Sequence, residues 1–274
     1  MQQPARTSAG AVSALLRSAH PGPAVAVTCV AGLLAVTAGL DGPHTVLVVA
    51  AVLTGQLSIG WSNDLIDRER DQAVHRTDKP LATGEARVGT VRAACAVALV
   101  ATVPLSLACG TVAGLLHLVT VGSGWAYNLG LKSSVWSWLP YAVAFGALPV
   151  FVALTAEPGV LPPLWVPVAG ALLGVGAHLV NALPDLADDE ATGVHGLPHR
   201  IGARWTPPLA TVVLVLASVL ICTAASLTHR WAVWASLAVV GVLAVVALRG
   251  RGRTPFRAAM AIALVDVALL AGAR

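Results

Sequence analysis

Two short segments of the chain carry carboxylates at spacings that could serve chemistry. The first reads Asn63-Asp64-Leu65-Ile66-Asp67-Arg68-Glu69-Arg70-Asp71. Asp64, Asp67 and Asp71 stand at i, i+3 and i+7, which on a helix puts all three carboxylates on one face. Three adjacent carboxylates repel one another, so such a face makes sense when cations occupy it. Oxygen ligands without His or Cys suit Mg²⁺, which takes one or two carboxylates together with phosphate oxygens. The second segment offers Asn181, Asp185 and Asp189 at steps of four, again one helical face. Two such faces opposite each other could hold Mg²⁺ ions around one diphosphate.

The elements that must position these residues are apolar. Of 274 residues, 57% are hydrophobic and 11% charged, against roughly 25% charged in a soluble domain. That excludes a disordered chain, a coiled coil and a disulfide-stapled secreted domain, and it points to an all-α polytopic membrane protein. Nine apolar runs predict transmembrane helices near 22–40, 45–61, 88–108, 110–127, 135–154, 162–182, 206–227, 231–248 and 256–273. Residues 1–21 read as a cytoplasmic N-terminal segment without a signal peptide, and 22–274 as one transmembrane domain. With the N-terminus inside, fifteen of the seventeen Lys and Arg fall on the cytoplasmic side, the orientation the positive-inside rule selects. The net charge of +4 therefore reports topology, and no nucleic-acid partner is expected. Trp136, Trp138, Trp165, Trp231 and Trp234 fit interfacial belts. Cys29, Cys95, Cys109 and Cys222 sit in apolar runs without metal spacing and read as small core residues.

Ten of the thirteen acids lie in two loops, 62–87 and 183–205, both assigned to the cytoplasmic side. The loops match at an offset of 118 residues: Asn63 with Asn181, Leu65 with Leu183, Asp67 with Asp185, Asp71 with Asp189, Pro80 with Pro198 and Gly84 with Gly202. The simplest reading is two four-helix repeats of the same orientation, plus one added helix. A site between the halves, opening to the cytoplasmic side of a cell membrane, follows.

The run Asn63-Asp64-x-x-Asp67-x-x-x-Asp71, followed by Asp78-Lys79-Pro80-Leu81-x-x-Gly84, resembles the first signature of the UbiA superfamily of intramembrane prenyltransferases. Asp185-x-x-x-Asp189 through Thr192-Gly193, Leu197-Pro198 and Arg200-x-Gly202 resembles the second, and Tyr127 to Lys132 a short segment between them. The resemblance implies Mg²⁺-dependent ionisation of an isoprenyl diphosphate and transfer of the prenyl group to an aromatic or quinone-type acceptor. Asn63, Asp64, Asp67 and Asp71 would hold Mg²⁺ on one side, Asp185 and Asp189 on the other. Lys79, Lys132 and Arg200 or Arg68 would neutralise phosphate oxygens. The chain departs from the fuller second motif at Ala182, where an Asp is expected, and Asp188 is the candidate substitute.

Trp61, Trp125, Tyr127 and Tyr141 stand near cytoplasmic span ends, where aromatic faces could stabilise a carbocation. His178 lies three residues before Asn181 and could reach the cleft. His117 and Asp266 fall inside spans, as functional groups or as helix–helix hydrogen bonds. A terpene cyclase on the same scaffold is the alternative, since it ionises the same diphosphate. The low aromatic content, 5%, favours transfer. A transporter would need charges at mid-membrane, and a CDP-alcohol phosphotransferase would need Asp-Gly and Ala-Arg elements that do not follow the first Asp pair.

Overall fold

The computed structural model describes residues 8–183, 186–191, 193–224, 230–252 and 254–271. Asp185 and Thr192, and the side chain of Asp188, lie outside the described residues. Helices and their connections account for everything described, with no β-strand among those residues.

Helix α1 (Ser8–Arg17) turns into α2 (Pro21–Thr37) through a 69° bend. Pro21 suits the first helical turn, where a missing N–H leaves nothing unpaired, and His20 before it is left-handed, φ 53°. Helix α3 (Gly42–Ala73) starts on Asp41, whose side chain accepts from the His44 amide at 2.9 Å, a side-chain N-cap. Its 32 residues span about 48 Å at 1.5 Å each, well beyond the roughly 30 Å of a bilayer core. The acidic motif therefore rides on the last turns of α3. Residues 62–73 are helix and not loop, because apolarity marks where a helix leaves lipid and not where it ends.

Helices α4 (Val88–Ala108) and α5 (Thr111–Asn128) follow, then a 3₁₀ turn (Leu131–Ser133), α6 (Leu139–Ala156) and α7 (Trp165–Asn181). Short helices α8 (Leu186–Ala191) and α9 (Leu197–Ile201) lead to α10 (Thr206–Ala224), α11 (Arg230–Arg249) and α12 (Thr254–Ala271). Each of the nine apolar runs carries one of these helices. Five of them, α3, α4, α6, α10 and α11, are long and apolar enough to cross a membrane, and the bent α1–α2 pair makes a sixth. Helices α2 and α7 have 17 residues, about 26 Å, and α5 and α12 carry His117 and Asp266 within them.

Successive long helices pack side by side from α2 to α7, then α7 on α10, α10 on α11 and α11 on α12. Helix α12 returns to α2, which closes a ring. Contacts of α3 with α5, α2 with α6 and α7 with α12 fill its interior. Val97, Val100, Val112 and Leu164 point outward and are exposed, a face that suits lipid. The 118-residue offset recurs in the helix starts, 21 and 139 for α2 and α6, and 88 and 206 for α4 and α10.

Glycines allow the close approach of α6 to α7. A Cβ on Gly170 would collide with the Phe145 carbonyl, and one on Gly174 with the Tyr141 carbonyl. Their spacing is the small-xxx-small pattern of membrane helix pairs. Gly60 of α3 likewise sits against the Ala19 carbonyl. Gly174→Ala is expected to destabilise the protein by roughly 1–3 kcal/mol. Gly122→Ala, where a Cβ meets nothing within 4 Å, should not. Thermal unfolding of both variants in detergent micelles checks this.

Candidate active site

Asp64, Asp67 and Asp71 lie on one face of α3 and are buried, at 1%, 7% and 7% exposure. The sequence spacing thus produces the charge cluster it predicts, and basic side chains from distant segments neutralise it. Lys79 Nζ lies 2.7 Å from Asp64 Oδ1, and His20 Nε2 lies 2.8 Å from the same oxygen. The two nitrogens are 2.9 Å apart. Asp64 Oδ2 is buried with no hydrogen-bond partner.

Lys132, in the turn after α5, donates to both oxygens of Asp67 at 2.5 and 2.6 Å, and Arg70 joins it at 2.5 Å. Burial pulls the Lys132 ammonium below the ordinary lysine range, and the Asp67 charge opposes that shift. Asn63 Nδ2 donates to Asp67 Oδ2 (3.1 Å) and to Asn128 Oδ1 (3.2 Å). Asn128 in turn donates to Ser62 Oγ and the Ile59 carbonyl, pinning the end of α5 to α3. Around Asp71 the charged groups are Asp64, Asp67, Lys79 and Arg76, and no hydrogen bond to its carboxylate is found among the described residues. Beyond the helix, Arg76 grips Asp78 through two bonds of 2.8 and 2.9 Å and holds its carboxyl down at about 2.

The second acidic segment is described at Asp189. Its Oδ2 stands 3.5 Å from His199 Nε2, and its charge acts on Lys132, the partner of Asp67. Burial and the neighbouring His195 push the His199 imidazole below its usual range. Arg200 is exposed and donates to the His195 carbonyl at 3.3 Å. Arg68 has its Nε buried without a partner.

An aromatic wall stands beside the acids. Tyr127 and Tyr141 meet edge to face with ring centres 5.4 Å apart, and His178 lies 4.9 Å from Tyr141 and 5.9 Å from Tyr127. Asn181 Nδ2 donates to the Tyr141 hydroxyl at 3.2 Å. Ser137 Oγ contacts His178 Nε2 at 3.0 Å and accepts from the Leu197 amide at 2.9 Å, tying α7 and α9 together. Trp61 and Trp125 do not join this wall. Trp61 donates its indole N–H to the Leu15 carbonyl, and Trp125 to Ser58 Oγ, so both serve packing inside the bundle. His117 contacts Ser106 Oγ at 2.7 Å and stacks on Phe151, a helix–helix contact.

Sequence reasoning missed His20, Asn128, Arg70 and Ser137. Asn128 and Arg70 carried a signal, lying inside the segments already singled out. His20 and Ser137 carried none, because their contacts join positions 44 and 41 residues apart.

No three His, Cys, Asp or Glu side chains among the described residues gather closely enough to hold an ion alone. The donor set nonetheless fits a hard divalent cation. It is all oxygen, it includes an orphaned buried oxygen on Asp64, and it leaves the Asp71 carboxylate without a hydrogen bond among the described residues.

The helical ring and its acidic face have a counterpart among known families. The UbiA prenyltransferase family model matches residues 24–265, and the chain belongs to that family. Its apolar helices agree with a multi-pass membrane protein. The chain is 32% identical over 194 residues to the bacteriochlorophyll synthase 33 kDa chain of Cereibacter sphaeroides, covering 65% of this chain and 62% of that protein's length. It is 31% identical to digeranylgeranylglyceryl phosphate synthase of Methanothrix thermoacetophila over 69% of this chain and 71% of the relative. Among solved structures, an apo UbiA homologue from Aeropyrum pernix superposes with a TM-score of 0.75 at 17% identity, over 90% of this chain and 96% of the other. A homologue from Archaeoglobus fulgidus bound to DMAPP and Mg²⁺ gives 0.68 at 19% identity, over 93% and 98%.

Lys132→Met leaves Asp67 buried with Arg70 and Asn63 alone. It should cost roughly 3–5 kcal/mol of stability, as breaking one half of a buried pair does. Adding Asp67→Leu should recover most of the loss. Unfolding midpoints of the single and double variants measure both effects, and additive losses would contradict the pairing.

Proposed function

We propose that the chain is a Mg²⁺-dependent intramembrane prenyltransferase that ionises an isoprenyl diphosphate and passes the prenyl group to an aromatic or quinone-type acceptor. One observation carries this reading: three buried carboxylates on one face of α3, with Lys79 against Asp64 and Lys132 against Asp67. The homologue that binds DMAPP and Mg²⁺ on this fold supports the donor and the metal.

In this reading Asn63, Asp64, Asp67 and Asp71 hold Mg²⁺ from one side. Asp185 and Asp189 hold it from the other, with Asp188 in place of the acid missing at Ala182. Bound there, Mg²⁺ supplies positive charge to the departing diphosphate. Lys79 and Lys132 already hold ammonium groups against the acidic face, and the same groups neutralise phosphate oxygens that enter it. Arg68, with its unpartnered Nε, and Arg200 are further candidates. The allylic C1–O bond breaks and its electron pair leaves with the diphosphate. The resulting carbocation faces the Tyr127, Tyr141 and His178 rings, whose π electrons favour a cation. The acceptor ring then supplies the electron pair for the new C–C bond and releases its proton. The apolar helices house the prenyl tail and keep water from the cation.

The membrane arrangement belongs to the same proposal: nine spans within 22–274, two four-helix repeats plus α12, the N-terminus in the cytoplasm and the acids opening on that side. The repeated helix starts support the doubling, and the Lys and Arg distribution supports the orientation.

Membranes containing the full chain, given Mg²⁺ and labelled geranyl, farnesyl or geranylgeranyl diphosphate with and without phenols, should form prenylated phenol. Cyclic hydrocarbon or alcohol made without any acceptor would assign a cyclase instead. Asp71→Asn and Asp185→Ala should each lower turnover at least about 100-fold while the protein stays folded and inserted. Near-normal product from either removes that residue from the site.

A further inference from the structure

His20 stands where two nitrogens converge on one oxygen. Its Nε2 lies 2.8 Å from Asp64 Oδ1, Lys79 Nζ lies 2.7 Å from the same oxygen, and the two nitrogens are 2.9 Å apart. These three contacts cannot all be hydrogen bonds at once. A lysine ammonium only donates, and an imidazole nitrogen donates when it carries a proton and accepts when it does not. With a proton on Nε2, His20 donates to Asp64 and faces the ammonium donor to donor. With its proton on Nδ1 alone, it accepts from Lys79 and turns a lone pair toward the carboxylate. His20 and Lys79 therefore compete for Asp64 Oδ1.

The backbone that aims this imidazole is strained. His20 is left-handed, φ 53° and ψ 60°, a region that residues with a Cβ seldom enter. Docking of α1 does not depend on the His20 contact. The Trp61 indole donates to the Leu15 carbonyl at 2.9 Å, the Ala19 carbonyl rests against Gly60, and Arg17 pairs with Glu85. The competition for Oδ1 ends when Lys79 leaves it, and phosphate oxygens draw an ammonium strongly. The His20 Nε2–H then takes Oδ1 alone. The carboxylate keeps the orientation that leaves Oδ2, the oxygen without a hydrogen-bond partner, for a cation.

We propose that His20 is a positioning residue that keeps Asp64 in place when Lys79 turns from the carboxylate to the diphosphate. This rests on the reading of the α3 acids as a Mg²⁺–diphosphate site and deepens it, because it makes the α1–α2 bend part of that site.

The test is equilibrium binding of tritiated thio analogues of geranyl and geranylgeranyl diphosphate, with sulfur in place of the bridging oxygen at C1, to the full chain in detergent micelles. His20→Asn suits the left-handed backbone, but its side-chain N–H ends one bond short of Asp64. Lys79 still holds the ligand-free carboxylate, so the unfolding midpoint of this variant without Mg²⁺ should match that of the unaltered chain. With Mg²⁺, its affinity for the better-bound analogue should fall about 10–100-fold, the loss expected when the partner of a metal ligand is removed. Without Mg²⁺ the two chains should bind the analogue alike, because His20 acts through Asp64 and not on the phosphate. His20→Gln, whose amide N–H stands as many bonds from Cα as Nε2 does, should recover most of the loss. A clearly lowered midpoint or failed folding in His20→Asn marks a merely structural contact and overturns the proposal. So does undiminished affinity with Mg²⁺, an equal loss without Mg²⁺, or no recovery in His20→Gln. Binding of neither analogue to the unaltered chain overturns the diphosphate reading itself, a result distinct from the others.

Discussion

Repulsion among three carboxylates on one helical face is the constraint around which the rest of this end of the molecule is built. Neighbouring acids about 5–6 Å apart repel by roughly 3 kcal/mol at an effective dielectric near 20, and burial strengthens the effect. The chain answers with cations from distant positions: Lys79 from the segment after α3 and Lys132 from the turn after α5. Asn63 and Asn128 then lock α3 to α5 by an amide–amide hydrogen bond. The same cluster that makes a diphosphate site plausible is thus a tertiary clamp, and its charge balance holds three segments of the first half together.

Small residues provide the complementary control. Gly170 and Gly174 bring α6 against α7 closely enough that Tyr141, Phe145 and His178 form one ring cluster. A larger side chain at either glycine would push away the backbone that carries Tyr141 and Phe145. Gly60 does the equivalent for α1, letting the Ala19 carbonyl approach so that His20 reaches Asp64. Close packing here sets the geometry of polar and aromatic groups as well as the stability of the bundle.

Local periodicity made the acidic face legible before any coordinates, because i, i+3, i+7 has one meaning on a helix. The nine apolar runs were legible from their length and apolarity, and each carries a helix. What escaped depends on which segments meet in space. Nothing in a stretch such as His20-Pro21-Gly22 announces contact with an aspartate 44 residues away. Trp61 and Trp125 have the composition of cleft aromatics, yet their indole N–H groups are taken by Leu15 and Ser58. The end of α3 was misread as a loop because hydropathy measures affinity for lipid, while the acids that extend the helix lower hydropathy without breaking it. The end of α7 was better marked: Pro184 disfavours helical backbone at the residue before it, and α7 stops at Asn181.

That difference between the halves bears on how they divide the chemistry. The α3 segment presents one unbroken helix with its acids in fixed register, Asp64 and Asp67 already paired with lysines. At the equivalent place in the second half the helix stops, and α8 carries Asp189 separately, linked by its backbone carbonyl to the Val194 amide at 2.8 Å. What the second half contributes rigidly is the wall formed by Tyr141, His178 and Asn181, held through Ser137. On the proposed reading, the acids of α3 and α8 bind the leaving group together, and the rings of Tyr127, Tyr141 and His178 face the cation. The break after α7 therefore separates the aromatic wall, which ends at Asn181, from the second acidic segment, as the proposed reaction with its two chemically different ends requires.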